Sequence, residues 1–135
     1  MAEESKTALL YHTFVSDSIV KDGKITGVKV HNKNGTQKIM ADRIIDCTGD
    51  GDVAARAGCG FDVGDEDNGD NLLVAGRCAS CSHEALGSLR VMPQCGVMGQ
   101  AAGAAAVISL NHGISPKEIS VPELQKTLKE QDCIF

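Results

Sequence analysis

The stretch Arg43-Ile44-Ile45-Asp46-Cys47-Thr48-Gly49-Asp50-Gly51-Asp52-Val53-Ala54 decides the fold. It opens as a short apolar burst, turns through two glycines, and continues into a helix expected over Val53 to Ala57 and stopped at Gly58. Strand, tight turn and helix in that order are the building unit of an α/β domain. The turn also matches G-x-G-x-x-A, the dinucleotide fingerprint. Asp50 and Asp52 would face a pyrophosphate there and repel it. No second strand carries an acid some twenty residues on, because that region is an acidic loop. A strand-to-helix turn that needs glycine is therefore the stronger reading.

Upstream lies a different pattern. Leu9 to Val15 is rich in β-forming residues, and Ile19 and Val20 continue it to the hairpin dipeptide Asp22-Gly23. Lys24 to His31 alternates apolar and polar, as a half-exposed antiparallel strand does. Asn34-Gly35 reads as a second hairpin turn, and Gln37 to Met40 as a third strand, giving a β-meander. Glu3 to Lys6 reads as the end of a short helix.

Downstream, Phe61 to Asp70 holds five acids and reads as a loop or linker. Asn71-Leu72-Leu73-Val74-Ala75-Gly76 is a second short strand with a glycine exit. His83 to Val91 is partly helical, and Pro93 opens a helix over Gln94 to Leu110 that stops at Asn111-His112-Gly113. Gly96, Gly99 and Gly103 lie along one side of that helix. Each costs about 1 kcal/mol against alanine, so close backbone approach to a sheet or a flat ligand is expected. Ser115 to Glu118 and Ser120 to Glu123 both match a capping box. The second opens a terminal helix over Pro122 to Gln131, with Leu124, Leu128 and Val121 facing inward.

The 135 residues fit one domain, large enough to bury about two-thirds of its unfolded surface. Aromatics at 3% argue against a stacking platform for single-stranded nucleic acid, and a net charge of -5 against a phosphate-backbone binder. The acidity belongs to Asp62, Asp65, Glu66, Asp67 and Asp70; the rest of the chain balances to zero. No apolar run reaches the ~18 residues that span a bilayer. The polar start, Met1 to Lys6, is no signal peptide, so a reduced, cytoplasmic chain with buried thiols is expected.

Three groups of residues carry possible chemistry. Cys78 and Cys81, with His83 and Cys95, have part of the spacing of a zinc site or a redox dithiol, but no second paired knuckle exists. His83, Glu84 and Arg90 lie between a strand's carboxyl end and a glycine-rich helix, where open α/β sheets bind ligands. Arg90 there would hold a carboxylate or a flavin carbonyl, and His83 would move protons; an ordinary charged surface loop is the bland alternative. Gln94-Cys95-Gly96 would offer free N–H groups at a helix start, or would simply begin a packed core helix.

Taken together, Asp46 to Gly58 resembles the second FAD-domain signature of FAD-dependent oxidoreductases. These are the two-dinucleotide-fold flavoproteins related to fumarate reductase flavoprotein subunits and the heterodisulfide reductase A-like group. Asn71 to Cys78 resembles their last FAD strand. His83-Glu84-Ala85 through Arg90-Val91-Met92, with Gly99-Gln100-Ala101-Ala102-Gly103, resembles the segment and final helix that follow. The resemblance covers roughly Leu9 to Gln131 and implies FAD as cofactor and a small-molecule substrate.

It implies Thr48 and Gly49 near the adenosine side, and Gly76 and Arg77 at the ribityl-pyrophosphate turn, where relatives often carry an acid. It implies His83 and Arg90 facing flavin and substrate, and Cys95, Gly96 and Gly99 presenting the helix start to the flavin. Family members begin with a βαβ unit bearing G-x-G-x-x-G and insert a substrate domain between the two signatures. Neither is seen here.

The expected fold is therefore α/β: a β-meander and short parallel strands packed on a glycine-rich helix, an incomplete Rossmann-like FAD/NAD(P)-binding domain lacking its first βαβ unit. The expected division is one partial FAD-binding domain over 1–135: meander and second signature over 8–60, acidic linker over 61–70, last strand and helices over 71–135. A sheet so truncated exposes an edge, which a second copy or a separate fingerprint segment would cover. Nucleic acid, membrane and metal are not expected. The chain alone is expected to be incompetent in catalysis. The competing readings are a self-associating structural domain and a small Cys/His metal or dithiol module.

Overall fold

The structure, a computed structural model, describes residues 4–59 and 70–133. Three antiparallel strands come first: β1 (Phe14–Lys21), β2 (Lys24–Asn32) and β3 (Gly35–Met40), in the spatial order β1-β2-β3. Asp22 and Gly23 turn the first hairpin with φ of 52° and 74°, the left-handed pair whose twist matches the strands.

The second hairpin turns one residue earlier than the Asn34-Gly35 reading. Its loop is Lys33 and Asn34, and Gly35 opens β3 opposite Asn32. The Asn32 side chain causes the shift: its Oδ1 accepts from the Asn34 N–H at 2.9 Å, an Asx turn.

β1 also starts later than its composition implies. Leu9, Leu10 and Tyr11 are exposed, and the chain turns at Tyr11-His12 before β1 begins. Phe14 already pairs with His31, near the end of β2, so no strand remains opposite Leu9 to Thr13. Glu4 to Lys6 form a turn rather than the end of a helix.

The second sheet is the parallel pair β4 (Ile44–Asp46) and β5 (Leu72–Val74), in register Ile44↔Leu72 to Asp46↔Val74. Between them comes α1 (Asp52–Arg56), ended by Gly58 in the left-handed region. After them come α2 (His83–Leu89), α3 (Met92–His112), a 3-10 turn (Pro116–Glu118) and α4 (Val121–Glu130). The expected α/β mixture is thus present, as a small antiparallel sheet beside a parallel pair. Most of the acidic linker, including Asp62, Asp65, Glu66 and Asp67, lies outside the described residues.

Two buried polar groups tie the meander to the rest of the domain. Asn71 accepts the Ile25 N–H at 3.1 Å and donates to the carbonyls of Ile25 (2.6 Å) and Asp42 (3.1 Å). Ser18 donates from β1 to the Val53 carbonyl of α1 at 2.7 Å. Both satisfy backbone groups that burial would otherwise leave unpaired.

The helix core is small-residue rich: Ala102, Ala104, Ala105, Ala106, Ile108 and Ser109 are the buried positions of α3. They cluster in its second half. Arg43, just before β4, donates to Ser109 Oγ at 2.8 Å and to the Ile114 carbonyl at 2.7 Å. The carboxyl end of α3 therefore lies at the amino end of β4, and α3 runs against the strand direction. At ~1.5 Å per residue, its 21 residues reach about 31 Å, whereas three-residue strands cover only about 10 Å. The first half of α3 overhangs the carboxyl ends of the strands.

Of the two capping boxes, the one at Ser115 forms in full and the one at Ser120 makes no side-chain cap. In α4, Leu128 is buried, while Val121 is exposed rather than inward.

Candidate cofactor site

β4 and β5 deliver their following loops to the same edge of the sheet. Thr48 and Gly49 follow β4; Gly76 and Arg77 follow β5. In an open α/β sheet this carboxyl edge is where ligands bind.

The residue that organises the first loop is Asp46, which sequence reading passed over. It is 1% exposed. Its Oδ1 accepts from the Thr48 N–H (2.9 Å) and hydroxyl (2.6 Å); its Oδ2 accepts from the N–H groups of Val53 (3.0 Å) and Ala54 (2.9 Å). Thr48 Oγ1 in turn accepts the Asp52 N–H at 2.7 Å. The free N–H groups that begin α1 are thereby consumed inside the protein, and Gly51, at φ 69°, makes the left-handed turn that aims them inward. Burial pushes the Asp46 carboxyl up, but the bonds from the Thr48 hydroxyl and from the backbone of Ala54, Thr48 and Val53 outweigh it, holding the group below the usual aspartate range. The signal available in the sequence was a carboxylate closing an apolar strand, two residues before a threonine and six before a helix.

Arg77 joins the second loop to the first. Its Nε donates to the Gly49 carbonyl at 3.0 Å, and its Nη2 lies 3.6 Å from Asp50 Oδ1. A side chain at Gly49 would strike this guanidinium. Gly76, at φ 99°, lets the chain reverse after β5.

Cys78 folds back over the strand ends, its thiol donating weakly to the carbonyls of Ala75 (3.7 Å) and Asp46 (3.8 Å). Burial first, and then the Asp46 charge, push the thiols of Cys47, Cys59 and Cys78 up. Among the described residues no three His, Cys, Asp or Glu gather as a metal site, so Cys78, Cys81, His83 and Cys95 do not form the fourfold ligand set. All six cysteines are free.

His83 opens α2 and Arg90 closes it, seven residues apart on one helix face. Both are exposed, and neither side chain bonds a partner among the described residues. They share no bond with the Arg77 loop. α2 meets α3 at 89°. No side chain caps the start of α3, and Pro93 stands in its first turn. Cys95 turns its thiol to the Leu89 carbonyl at 3.4 Å.

The expected close approach to Gly96, Gly99 and Gly103 is not made among the described residues: a Cβ at any of them would meet nothing within 4 Å. The same holds at Gly76. Gly96, Gly99 and Gly103 share one face of α3, an open glycine cradle. A groove of about 930 Å³ lies elsewhere, at the amino ends of β4 and β5, lined by Arg43, Asn71 and Ile114 among others. Arg43 and Asn71 are committed to internal bonds there.

Two loops meet at the carboxyl ends of the parallel strands, joined by Arg77. Residues 1–70 and 67–128 match the family model described as FAD dependent oxidoreductase, and the chain belongs to that family. FAD is the family's cofactor. No curated protein and no solved structure matches the chain. No single helix among the described residues is long and apolar enough to cross a membrane.

Proposed function

We propose that this chain forms the rear part of a flavoenzyme's Rossmann-like FAD domain, and that the complete assembly oxidises or reduces a small molecule by hydride or electron transfer. The observation that supports it is the open glycine cradle of α3, in a chain whose family uses FAD. FAD, when bound, supplies the two-electron chemistry. The protein's share is orientation and electrostatics. Gly76, Arg77 and the helix start Cys95, Gly96 and Gly99 hold the cofactor, while Thr48 and Gly49 shape the loop beneath it. His83 and Arg90 polarise substrate or flavin, and their exposure fits groups that await a covering partner.

The chain alone does not turn over substrate in this reading. Met92, Gly96, Gly99, Gly103, Val107 and Leu110 fall within about 80° on the wheel of α3. Met92 is 87% exposed. A βαβ unit bearing the FAD fingerprint covers this stripe in the complete assembly, with a second copy as the alternative cover. The test is a visible spectrum of the chain with FAD, alone and mixed with a fingerprint-bearing segment. A protein-perturbed flavin band only in the mixture is expected. No flavin binding in either case would overturn the reading, and a flavin-free dimer would favour the self-associating domain.

A further inference from the structure

β3 lies uncovered on three sides. All of its residues are exposed. It pairs with β2 along one edge only, so among the described residues no strand meets the N–H and C=O groups of its other edge. Both faces are open as well: Ile39 is 37% exposed, and Met40, on the opposite face, 61%.

This edge carries a charge pattern. The register sets Asp17, Lys29 and Lys38 in one row across the sheet. Lys29 is paired with Asp17 at 2.7 Å. Lys38 ends the row with a like charge directly opposite, an arrangement that destabilises a strand pair. Neither Lys38 nor Lys33, in the turn before β3, bonds a partner among the described residues. An acid on the far side of Lys38 would complete the row.

The strand also ends at an opening. Met40 and Ala41 line the groove of about 930 Å³, together with Ile25, Leu110 and Ile114. Ala41 donates to the Thr26 carbonyl at 3.1 Å, so the pairing with β2 continues to the lip of the groove. A free strand edge and an apolar hollow thus meet at Met40.

We propose that the β3 edge and this groove form one docking site for an extended, acidic segment of another polypeptide. The segment adds a fourth strand to the meander. Its backbone bonds the open edge, a carboxylate stands opposite Lys38, and an apolar side chain a few residues on enters the groove beside Met40 and Leu110. Strand addition draws its affinity from the main chain and its specificity from alternate side chains. An edge lysine ordinarily guards against self-pairing. Here the guard is selective: a second copy brings the same lysine-bearing edge and is repelled, whereas an acidic strand is attracted. The site lies at the amino ends of β4 and β5, so it does not depend on the FAD reading.

The test uses the full chain and short synthetic peptides. The first alternates Asp and Val and ends in Leu. The second carries Lys in place of Asp. The third is the acidic peptide with alternate backbone nitrogens methylated, which removes the N–H groups that pair a strand. Fluorescence anisotropy measures binding, and amide hydrogen exchange locates it. The acidic peptide should bind about 2–5-fold tighter than the lysine peptide, and Lys38→Glu should reverse that order. Methylation should weaken binding about tenfold or more. Leu110→Glu should weaken it without changing the charge preference. Exchange should slow at alternate amides of β3.

No binding of the acidic peptide up to about 1 mM would overturn the proposal. So would equal binding of the methylated peptide, or a charge preference that ignores Lys38→Glu. A concentration-dependent dimer that protects the β3 amides without peptide would give the edge to a second copy, and would overturn it too.

Discussion

Two helix starts flank this fold, and they are opposites. α1 is five residues long and its N-terminus is closed: Asp46 and Thr48 take up its leading N–H groups from within. α3 is 21 residues long; no side chain caps it, and its first two turns face open space at Gly96 and Gly99. The glycine-acid turn before α1 has the outward form of a nucleotide fingerprint, yet its anion site is filled by the protein's own carboxylate. The plainer start of α3 is the one left free. A glycine-rich turn thus marks a place where backbone N–H groups converge, and the anion that satisfies them is set by what the neighbouring strand supplies.

That contrast breaks first at Asp46. Asp46→Ala orphans three backbone donors and a hydroxyl in a buried site, and should destabilise the chain by about 3–5 kcal/mol. The urea midpoint would show it. A loss below about 1 kcal/mol would mean that water replaces the carboxylate and the α1 start is not closed after all.

Acid should act through the same group. The folded Asp46 carboxyl lies below its unfolded value, so its contribution is complete above about pH 3.9 and is lost as pH falls through the folded value. Asp46→Asn should flatten the acid limb of the stability–pH curve. An unaltered limb would assign acid sensitivity elsewhere.

Thr48→Val removes the hydroxyl that donates to Asp46 and accepts from Asp52, and should cost about 1–2 kcal/mol, measured the same way. At the open start the sign reverses. Gly99→Ala meets no atom within 4 Å and should stabilise the isolated chain by about 0.5–1 kcal/mol through helix propensity. Gly99→Leu should be tolerated by the isolated chain but weaken FAD about tenfold in the complete assembly, by filling the cradle. Destabilisation by Gly99→Ala would show that the face is covered.

The meander, the parallel pair and the long helix were legible because each rests on local chemistry: Asp22-Gly23 at a left-handed turn, alternation through Lys24 to His31, Pro93 at a helix start and Gly113 at its end. The start of β1 was not, because Leu9 to Thr13 has strand composition but no neighbouring strand long enough to pair it. The Ser120 box matched in letters and failed in geometry, since a capping box also needs the N-cap rotamer to reach the N3 amide.

For the site, the two loops after β4 and β5 followed from strand order and glycine exits. The inward role of Asp46 did not, because an aspartate ending a strand reads as solvated until its partners are known. By itself the sequence determined the elements, their order and the family, since turn residues, hydrophobic period and motif spacing are properties of neighbours along the chain. Only the tertiary structure decided which helix start is closed and which is open, and that Arg77 crosses to Gly49. Those depend on groups distant in sequence meeting in a dry interior or at a shared sheet edge, where unpaired backbone must find whichever partner the fold brings within reach.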